Sequence, residues 1–188
     1  MQSPNNLLTN TNCDEVRLAT NFRSNVSGIA LKDRGGILPA GHSANAVYWY
    51  DTKTGDWITS TYYMKELPAW VKTFNAEKLV DKYYKDGWNT LYPLNTYVQS
   101  TSDEKSYEVK AFGADQKGFP YNLSRLTGIN YNPIIATPFG NTLTTEFAKS
   151  IIINEQLGVD AVTDFLAISY SSPDYVGHSF GPNSVEVE

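Results

Sequence analysis

The run "NVSGIALK", residues 25–32, decides the fold class of this chain. It is short, apolar and contains β-branched residues, which is typical of a buried strand. A second run of this kind, "VTDFLAISY" at 162–170, follows the clearest helical segment, "TLTTEFAKSIIINEQLG" at 142–158. Strand, helix and strand in this order predict an α/β sheet with parallel strands, in which both apolar runs are buried.

Local signals place the remaining elements. Residues 46–63, "AVYWYDTKTGDWITSTYY", predict a β-hairpin, because two aromatic and β-branched runs flank the turn-forming cluster "DTKTGD". Residues 89–141 are irregular and too long for a plain loop, so we expect small strands or a covering segment there. Thr11 or Asn12 can cap a helix at 11–22. A helix at 68–88, which breaks near "TFN", has Pro68 in its first turn and Gly87 as its C-cap. The helix at 142–158 is capped by Thr142 or Thr144 and ends at Gly158.

The composition excludes several classes of protein. The chain has 188 residues, a hydrophobic fraction of 41% and a net charge of −5, which fit a packed domain without a basic face for nucleic acid. No apolar run approaches the roughly 18 residues of a transmembrane helix, and the first residues do not have the pattern of a signal peptide. Cys13 is the single cysteine, so neither an internal disulfide nor a cysteine zinc cage is expected.

Two cations follow the first predicted strand. Lys32 and Arg34 are two residues apart, so in extended geometry their side chains would point the same way. Such a pair can hold a phosphate, with Arg as a planar fork and Lys as a point charge. Gly35 and Gly36 would allow a tight turn or the close approach of another group. The alternative is a solvated edge, on which Asp33 offsets part of the charge.

A carboxylate and an imidazole follow the last predicted strand, in "SSPDYVGHSFGP" at 171–182. Asp174 and His178 are four residues apart, and both residue types bind zinc. A loop or a first helical turn would let them converge on one ion, although a capped helix start explains Asp174 equally well. His42, the other histidine, is expected to be a structural, hydrogen-bonded residue.

The segments around these two motifs resemble the alkaline phosphatase superfamily. "GIALKDRGGILPAGHSANAVYW" and "AISYSSPDYVGHSFGPNSVEVE" look like corresponding segments of zinc-dependent bacterial phosphatases of the PafA type, which are related to type I phosphodiesterases/nucleotide pyrophosphatases. The resemblance implies an α/β/α sandwich with a mixed, mainly parallel sheet. It also implies two zinc ions, with Asp174 and His178 binding one of them and with Lys32 and Arg34 contacting the phosphoryl oxygens.

The resemblance also implies what this chain lacks. The nucleophilic Thr or Ser and the remaining zinc ligands match no position here, so we expect a fragment that is inactive alone and holds at most a partial zinc site.

Residues 1–43 and 142–188 would belong to the core and 44–141 to an inserted cap. The parent would be a periplasmic or secreted phosphate monoesterase, and no membrane segment is expected in this chain. A phosphodiesterase, a nucleotide pyrophosphatase, a sulfatase and a non-catalytic binding module are the alternatives, and the oligomeric state stays open.

Overall fold

The computed structural model describes residues 2–188, which divide into two compact units. Unit one comprises the residues up to Asp51, Gly55–Glu77 and Thr142–Tyr170. Unit two comprises Thr52–Thr54, Lys78–Asn141 and Ser171–Glu188. Across residues 2–188, no helix is both long and apolar enough to cross a lipid bilayer.

Unit one is built on a four-stranded mixed sheet with the order β3-β2-β1-β4. The first strand, β1, is parallel to both β2 and β4, whereas β2 and β3 form the predicted antiparallel hairpin. The mainly parallel α/β sheet predicted from the sequence is therefore confirmed. The strands are β1 (Val26–Ala30), β2 (Ala46–Asp51), β3 (Asp56–Ile58) and β4 (Phe165–Ser169).

The expected division of the chain differs from the observed one. Residues 44–141 were expected to form an inserted cap, but β2 and β3 lie in that range and pair into the sheet beside β1. The segment 171–188, expected in the core, belongs to unit two. The predicted boundaries differ because strand pairing, rather than a local sequence pattern, decides which segments belong to one unit.

Helix ends follow the predicted caps in most cases. Thr11 caps the first helix, forming a reciprocal capping box with Asp14. The break predicted near "TFN" falls between the third and fourth helices, after Ala76, and Gly87 caps the fourth. The helices are α1 (Asn12–Ala19), α2 (Asp33–Ala40), α3 (Ala69–Ala76), α4 (Leu79–Asp86), α5 (Pro138–Asn154) and α6 (Ser172–Phe180).

Helix α5 begins and ends earlier than predicted. It starts at Pro138 rather than near Thr142 or Thr144, because the fixed φ of proline suits a first helical turn. It ends at Asn154, and Gly158 adopts a positive φ of 74° four residues further on, in the turn that leads to β4. Both differences concern the ends of a helix that was predicted correctly.

Strand β4 is less buried than predicted. In the described part of the chain it pairs with β1 at one edge of the sheet, and Phe165 and Ile168 are each 38% exposed. By contrast, every residue of β1, which lies between β2 and β4, is buried. An apolar run predicts a strand. The burial of that strand also depends on its position in the sheet, which the run does not reveal.

The core of unit one centres on Phe147 of α5. Its ring is fully buried and stacks on Trp57 of β3, with ring centroids 4.5 Å apart. Tyr48, Trp70 and Phe74 surround the same ring at 5.0–5.3 Å. This aromatic packing holds α5 and α3 against the sheet.

Unit two has little regular structure and packs around aromatic rings. Trp88, just before the irregular stretch 89–141, forms an isolated antiparallel bridge with Tyr121 inside it, and the rings of both residues contact Phe112 and Phe180. This stretch was expected to contain small strands or to cover another part of the protein. Before α5 begins, its regular structure consists of Tyr121 in that bridge and short 3₁₀ helices at Leu94–Thr96, Ser124–Leu126 and Asn132–Ala136.

Candidate functional site

The Lys32–Arg34 pair lies where β1 passes into α2. Lys32 is half-buried and is the N-cap residue of α2, with an extended backbone (φ −96°, ψ 134°). Arg34 is exposed and already helical. The expectation that both residues share extended geometry is therefore wrong, because α2 begins at Asp33 between them. Both still stand at the carboxyl end of a buried parallel strand, where α/β sheets usually build their sites.

Glycines bring the start of α2 close to the sheet. A Cβ on Gly28 of β1 would lie 2.7 Å from the carbonyl oxygen of Gly36 and 2.9 Å from the Cβ of Ala40. A Cβ on Gly35 would lie 3.0 Å from the Cβ of Ala30 and 3.2 Å from Oγ of Ser169. Only glycine allows α2 to approach the sheet this closely. The close approach predicted from Gly35 and Gly36 is therefore present. The N-terminus of α2 therefore lies beside the carboxyl ends of β1 and β4.

A helix N-terminus beside two cations is a suitable anion site. The first turn of a helix has backbone N–H groups without helical partners and carries partial positive charge. Lys32 and Arg34 add full positive charges at that end of α2, although Asp33 offsets one of them and its Oδ1 accepts from the N–H of Arg34 at 2.7 Å. This end of α2 in unit one therefore carries positive charge, which suits an anion.

Asp174 and His178 lie on one exposed face of α6 in unit two. Their positions four residues apart bring Oδ1 of Asp174 within 3.3 Å of Nε2 of His178, and their side chains are 52% and 80% exposed. Val176 and Phe180 are buried on the other face of the helix and anchor it. Of the two arrangements considered for this segment, a loop or a first helical turn, the structure has a helix, with Ser171 rather than Asp174 as the N-cap residue.

The geometry of this pair fits a zinc ion. Two ligands about 2.05 Å from a tetrahedral zinc lie about 3.3 Å apart, which is the distance between Oδ1 of Asp174 and Nε2 of His178. A carboxylate and a neutral imidazole are a common zinc donor set. An ion pair between the two side chains would have the same distance, so the geometry permits both arrangements.

His42 has the structural role expected for it. Its Nε2 lies 3.0 Å from the carbonyl oxygen of Leu7, and its backbone N–H donates to Oδ1 of Asp14 at 2.8 Å. Burial alone would raise the pKa of Asp14, but hydrogen bonds from Thr11, Ser43 and His42 outweigh it and hold that pKa well below its usual range. Asp14 thereby joins α1 to the turn after α2.

Comparisons with known proteins identify the relatives of this chain. A model of the type I phosphodiesterase/nucleotide pyrophosphatase family matches residues 23–188. The chain is 62% identical over its whole length to a protein of Myroides odoratus named "Calcium-transporting ATPase", of which it spans 35%. It is 53% identical to alkaline phosphatase PhoV of Synechococcus elongatus, over its whole length and 34% of PhoV. It is 48% identical to alkaline phosphatase PafA of Elizabethkingia meningoseptica, over 99% of its length and 34% of PafA.

Solved structures extend the likeness to three dimensions. The crystal structure of PafA superposes with a TM-score of 0.95 and 48% identity, covering 98% of this chain and 36% of the PafA chain. A second PafA structure, also with a TM-score of 0.95, carries several substitutions, among them a lysine and an arginine two positions apart, both replaced by alanine.

The chain thus spans about a third of the length of the relatives it matches. The family model covers most of its residues, and the sheet superposes on that of PafA. The chain belongs to the type I phosphodiesterase/nucleotide pyrophosphatase family and, within the alkaline phosphatase superfamily, to the group of PafA-like proteins.

Proposed function

We propose that the chain forms part of a zinc-dependent phosphatase, which hydrolyses phosphate monoesters by in-line attack of a Thr or Ser nucleophile outside residues 1–188. The observation that best supports this is the position of Lys32 and Arg34 at the N-terminus of α2, directly after β1. PhoV and PafA, two similar proteins, are named alkaline phosphatases. A lysine and an arginine with the same spacing were chosen for substitution in PafA.

In this proposal Lys32 and Arg34 bind the phosphoryl oxygens. A monoester phosphate carries two negative charges, and its transition state keeps charge on the equatorial oxygens. Fixed donors aimed at that charge lower the barrier without having to reorganise. Gly28 and Gly36 contribute indirectly, because their missing side chains let α2 approach the sheet and hold Lys32 at the end of β1.

Asp174 and His178 hold one of two zinc ions in this proposal. Their 3.3 Å separation on an exposed helical face supports the assignment. Bound zinc would supply Lewis acidity that stabilises charge on the attacking and leaving oxygens. A catalytic zinc usually has three protein ligands, so further ligands would come from outside residues 1–188.

The kinetic test uses the full-length protein and p-nitrophenyl phosphate. Lys32→Ala and Arg34→Ala should each lower kcat/KM by roughly 10²-fold, the loss typical of removing one donor to a charged transition state. Lys65→Ala removes an exposed lysine elsewhere and should leave the rate unchanged. Activity that is unaffected by both Lys32→Ala and Arg34→Ala would refute their role.

The zinc test separates the metal ligands from the phosphate contacts. Asp174→Ala and His178→Ala should weaken zinc binding measured by calorimetry, whereas Glu77→Gln, which alters an exposed carboxylate, should not. Lys32→Ala should leave zinc binding intact while it lowers the rate. Equal zinc affinities for the wild type, Asp174→Ala and His178→Ala would remove these residues from the metal site.

A phosphodiesterase is the second candidate, because the matching family is described as type I phosphodiesterase/nucleotide pyrophosphatase. Bis-p-nitrophenyl phosphate carries one negative charge, so the Lys32→Ala loss should be smaller for this diester than for the monoester. A higher kcat/KM for the diester would favour the second candidate. ATP is a useful third substrate, since one relative is named an ATPase, and an aryl sulfate tests for sulfatase activity.

The resemblance to PafA-type enzymes also supports export of the whole protein to the periplasm or the medium. Fractionation of cells expressing the complete gene tests this. Activity confined to the cytoplasmic fraction would contradict export without affecting the proposed chemistry.

A further inference from the structure

Three carboxylates that the sequence analysis did not single out meet in unit two. Asp103, Glu108 and Glu186 each place one carboxylate oxygen so that all three oxygens lie within 4.8 Å of one another. None of them belongs to the Asp174–His178 pair. Negative charges this close repel one another, so the cluster needs a compensating positive charge or a proton.

Two oxygens of this cluster are buried without a partner. Glu186 is 8% exposed; its Oε1 accepts from the hydroxyl of Tyr121 at 2.5 Å, but its Oε2 has no hydrogen-bond partner among the described residues. Oε1 of Glu108 is also buried and lacks a partner within residues 2–188, while its Oε2 accepts from the N–H of Lys105 at 2.9 Å. Buried carboxylate oxygens are costly unless a donor or a cation satisfies them.

The carboxylate of Asp103 has backbone hydrogen-bond partners. Oδ2 of Asp103 accepts from the N–H of Phe119 at 2.9 Å, and Oδ1 accepts from the N–H of Glu104 at 3.0 Å. These backbone bonds fix the Asp103 carboxylate. Lys105 is close enough for its charge to act on Glu108, and Lys110 and Lys117 line the same cavity as Glu108.

We propose that Asp103, Glu108 and Glu186 bind a divalent cation, calcium in preference to zinc. Calcium takes six to eight oxygen ligands about 2.4 Å away, so two of its ligands lie at most about 4.8 Å apart. The cluster offers only hard oxygen donors, whereas zinc prefers nitrogen and sulfur. The unpartnered oxygens of Glu108 and Glu186 become ligands, and backbone carbonyls or water complete the shell.

The cation would tie two distant parts of unit two together. Asp103 and Glu108 lie in the irregular stretch 89–141, whereas Glu186 lies after α6. The regular structure of that stretch is confined to short 3₁₀ helices and one isolated bridge before α5 begins, so a shared ion would stabilise it. This proposal is independent of the phosphatase proposal, since it uses none of the same residues.

Terbium luminescence provides a direct test, because Tb³⁺ replaces Ca²⁺ and is excited by nearby aromatic rings. Tyr121 donates to Glu186, and the ring of Trp88 lies 5.6 Å from that of Tyr121. Full-length protein in a zinc-containing, calcium-free buffer should give sensitised Tb³⁺ emission that calcium displaces. The expected stoichiometry at this site is one ion per chain.

Matched variants decide which residues bind. Glu108→Gln should weaken calcium binding by about tenfold or more, because one of three charged ligands is lost. Glu104→Gln, next to Asp103 but exposed and outside the cluster, should bind like the wild type. His178→Ala should also keep the full signal, which separates this site from the zinc pair.

Thermal unfolding gives a second readout. Calcium should raise the Tm of the wild type and of Glu104→Gln, and should raise that of Glu108→Gln much less. Asp103→Asn replaces Glu108→Gln if the latter does not fold. The proposal is overturned if the wild type shows neither calcium-displaceable emission nor a Tm shift, which would mean that a shared proton or the nearby lysines satisfy the cluster. Unchanged calcium binding by both Glu108→Gln and Asp103→Asn would overturn it as well.

Discussion

Replacing Asp14 by alanine should destabilise unit one more than most single substitutions would. The side chain is 5% exposed. Its Oδ1 accepts from the N–H of His42 and from the N–H and hydroxyl of Ser43, each at 2.8 Å. Its Oδ2 accepts from the N–H and hydroxyl of Thr11 at 3.0 and 3.1 Å. One carboxylate thus holds the start of α1 to the turn that ends α2.

The size of the effect follows from these bonds. Alanine leaves three backbone N–H groups without their charged acceptor, those of Thr11, His42 and Ser43. At about 1 kcal/mol or more for each bond, the free energy of unfolding should fall by about 3 kcal/mol. Asp14→Asn keeps one carbonyl oxygen for part of this set, so its loss should be about 1–2 kcal/mol.

Urea unfolding at pH 7, followed by tryptophan fluorescence, measures the loss, since Trp49, Trp57 and Trp70 all lie in unit one. Glu15→Gln is the matched control, because Glu15 follows Asp14 on α1 but is exposed. Its free energy of unfolding should change by less than about 0.5 kcal/mol.

The pH dependence gives an independent check. Because the hydrogen bonds lower the folded-state pKa of Asp14, its charge stabilises the fold above its unfolded-state pKa of about 3.9. This contribution is lost as the pH falls toward the folded-state pKa. The difference between the wild type and Asp14→Asn should therefore shrink below about pH 4. A loss under about 1 kcal/mol for alanine, or a difference that stays constant down to pH 3, would refute the reasoning.

Two further substitutions test the packing of unit one. Gly28→Ala places a Cβ 2.7 Å from the carbonyl oxygen of Gly36 and 2.9 Å from the Cβ of Ala40, so it should cost about 1–3 kcal/mol of stability; an unchanged Tm would mean that α2 moves away freely. Phe147→Ala removes the ring that stacks on Trp57 and should cost about 3–5 kcal/mol. Near-UV circular dichroism should weaken with it, and a native spectrum would contradict the proposed core.

Elements with strong local signals could be predicted from the sequence. The cap of α1 depends on Thr11 and Asp14, three positions apart, and the β2–β3 turn on a compact polar cluster. The end of α4 depends on Gly87, whose φ is 67°. In each case the residues that determine the element are its near neighbours in the chain.

Helix α2 could not be predicted in this way. Its sequence, "DRGGILPA", contains two glycines and a proline, which disfavour a helix interior. The helix is stabilised instead by tertiary contacts, since Ile37 and Ala40 pack against Val47 and Trp49 of β2 in a buried cluster. Local propensity predicts a loop here, and packing on the sheet outweighs it.

The same distinction separates the two candidate sites. The proximity of Asp174 and His178 could be predicted from the sequence, because a spacing of four brings two side chains together on a helix, although Pro173 and Gly177 left a loop equally open. Asp103, Glu108 and Glu186 could not, because Glu186 joins the other two only in the folded unit. Bringing these three carboxylates together costs free energy, because their negative charges repel one another. The two buried, unpartnered oxygens of the cluster are therefore better evidence for a ligand than the acidic residues alone.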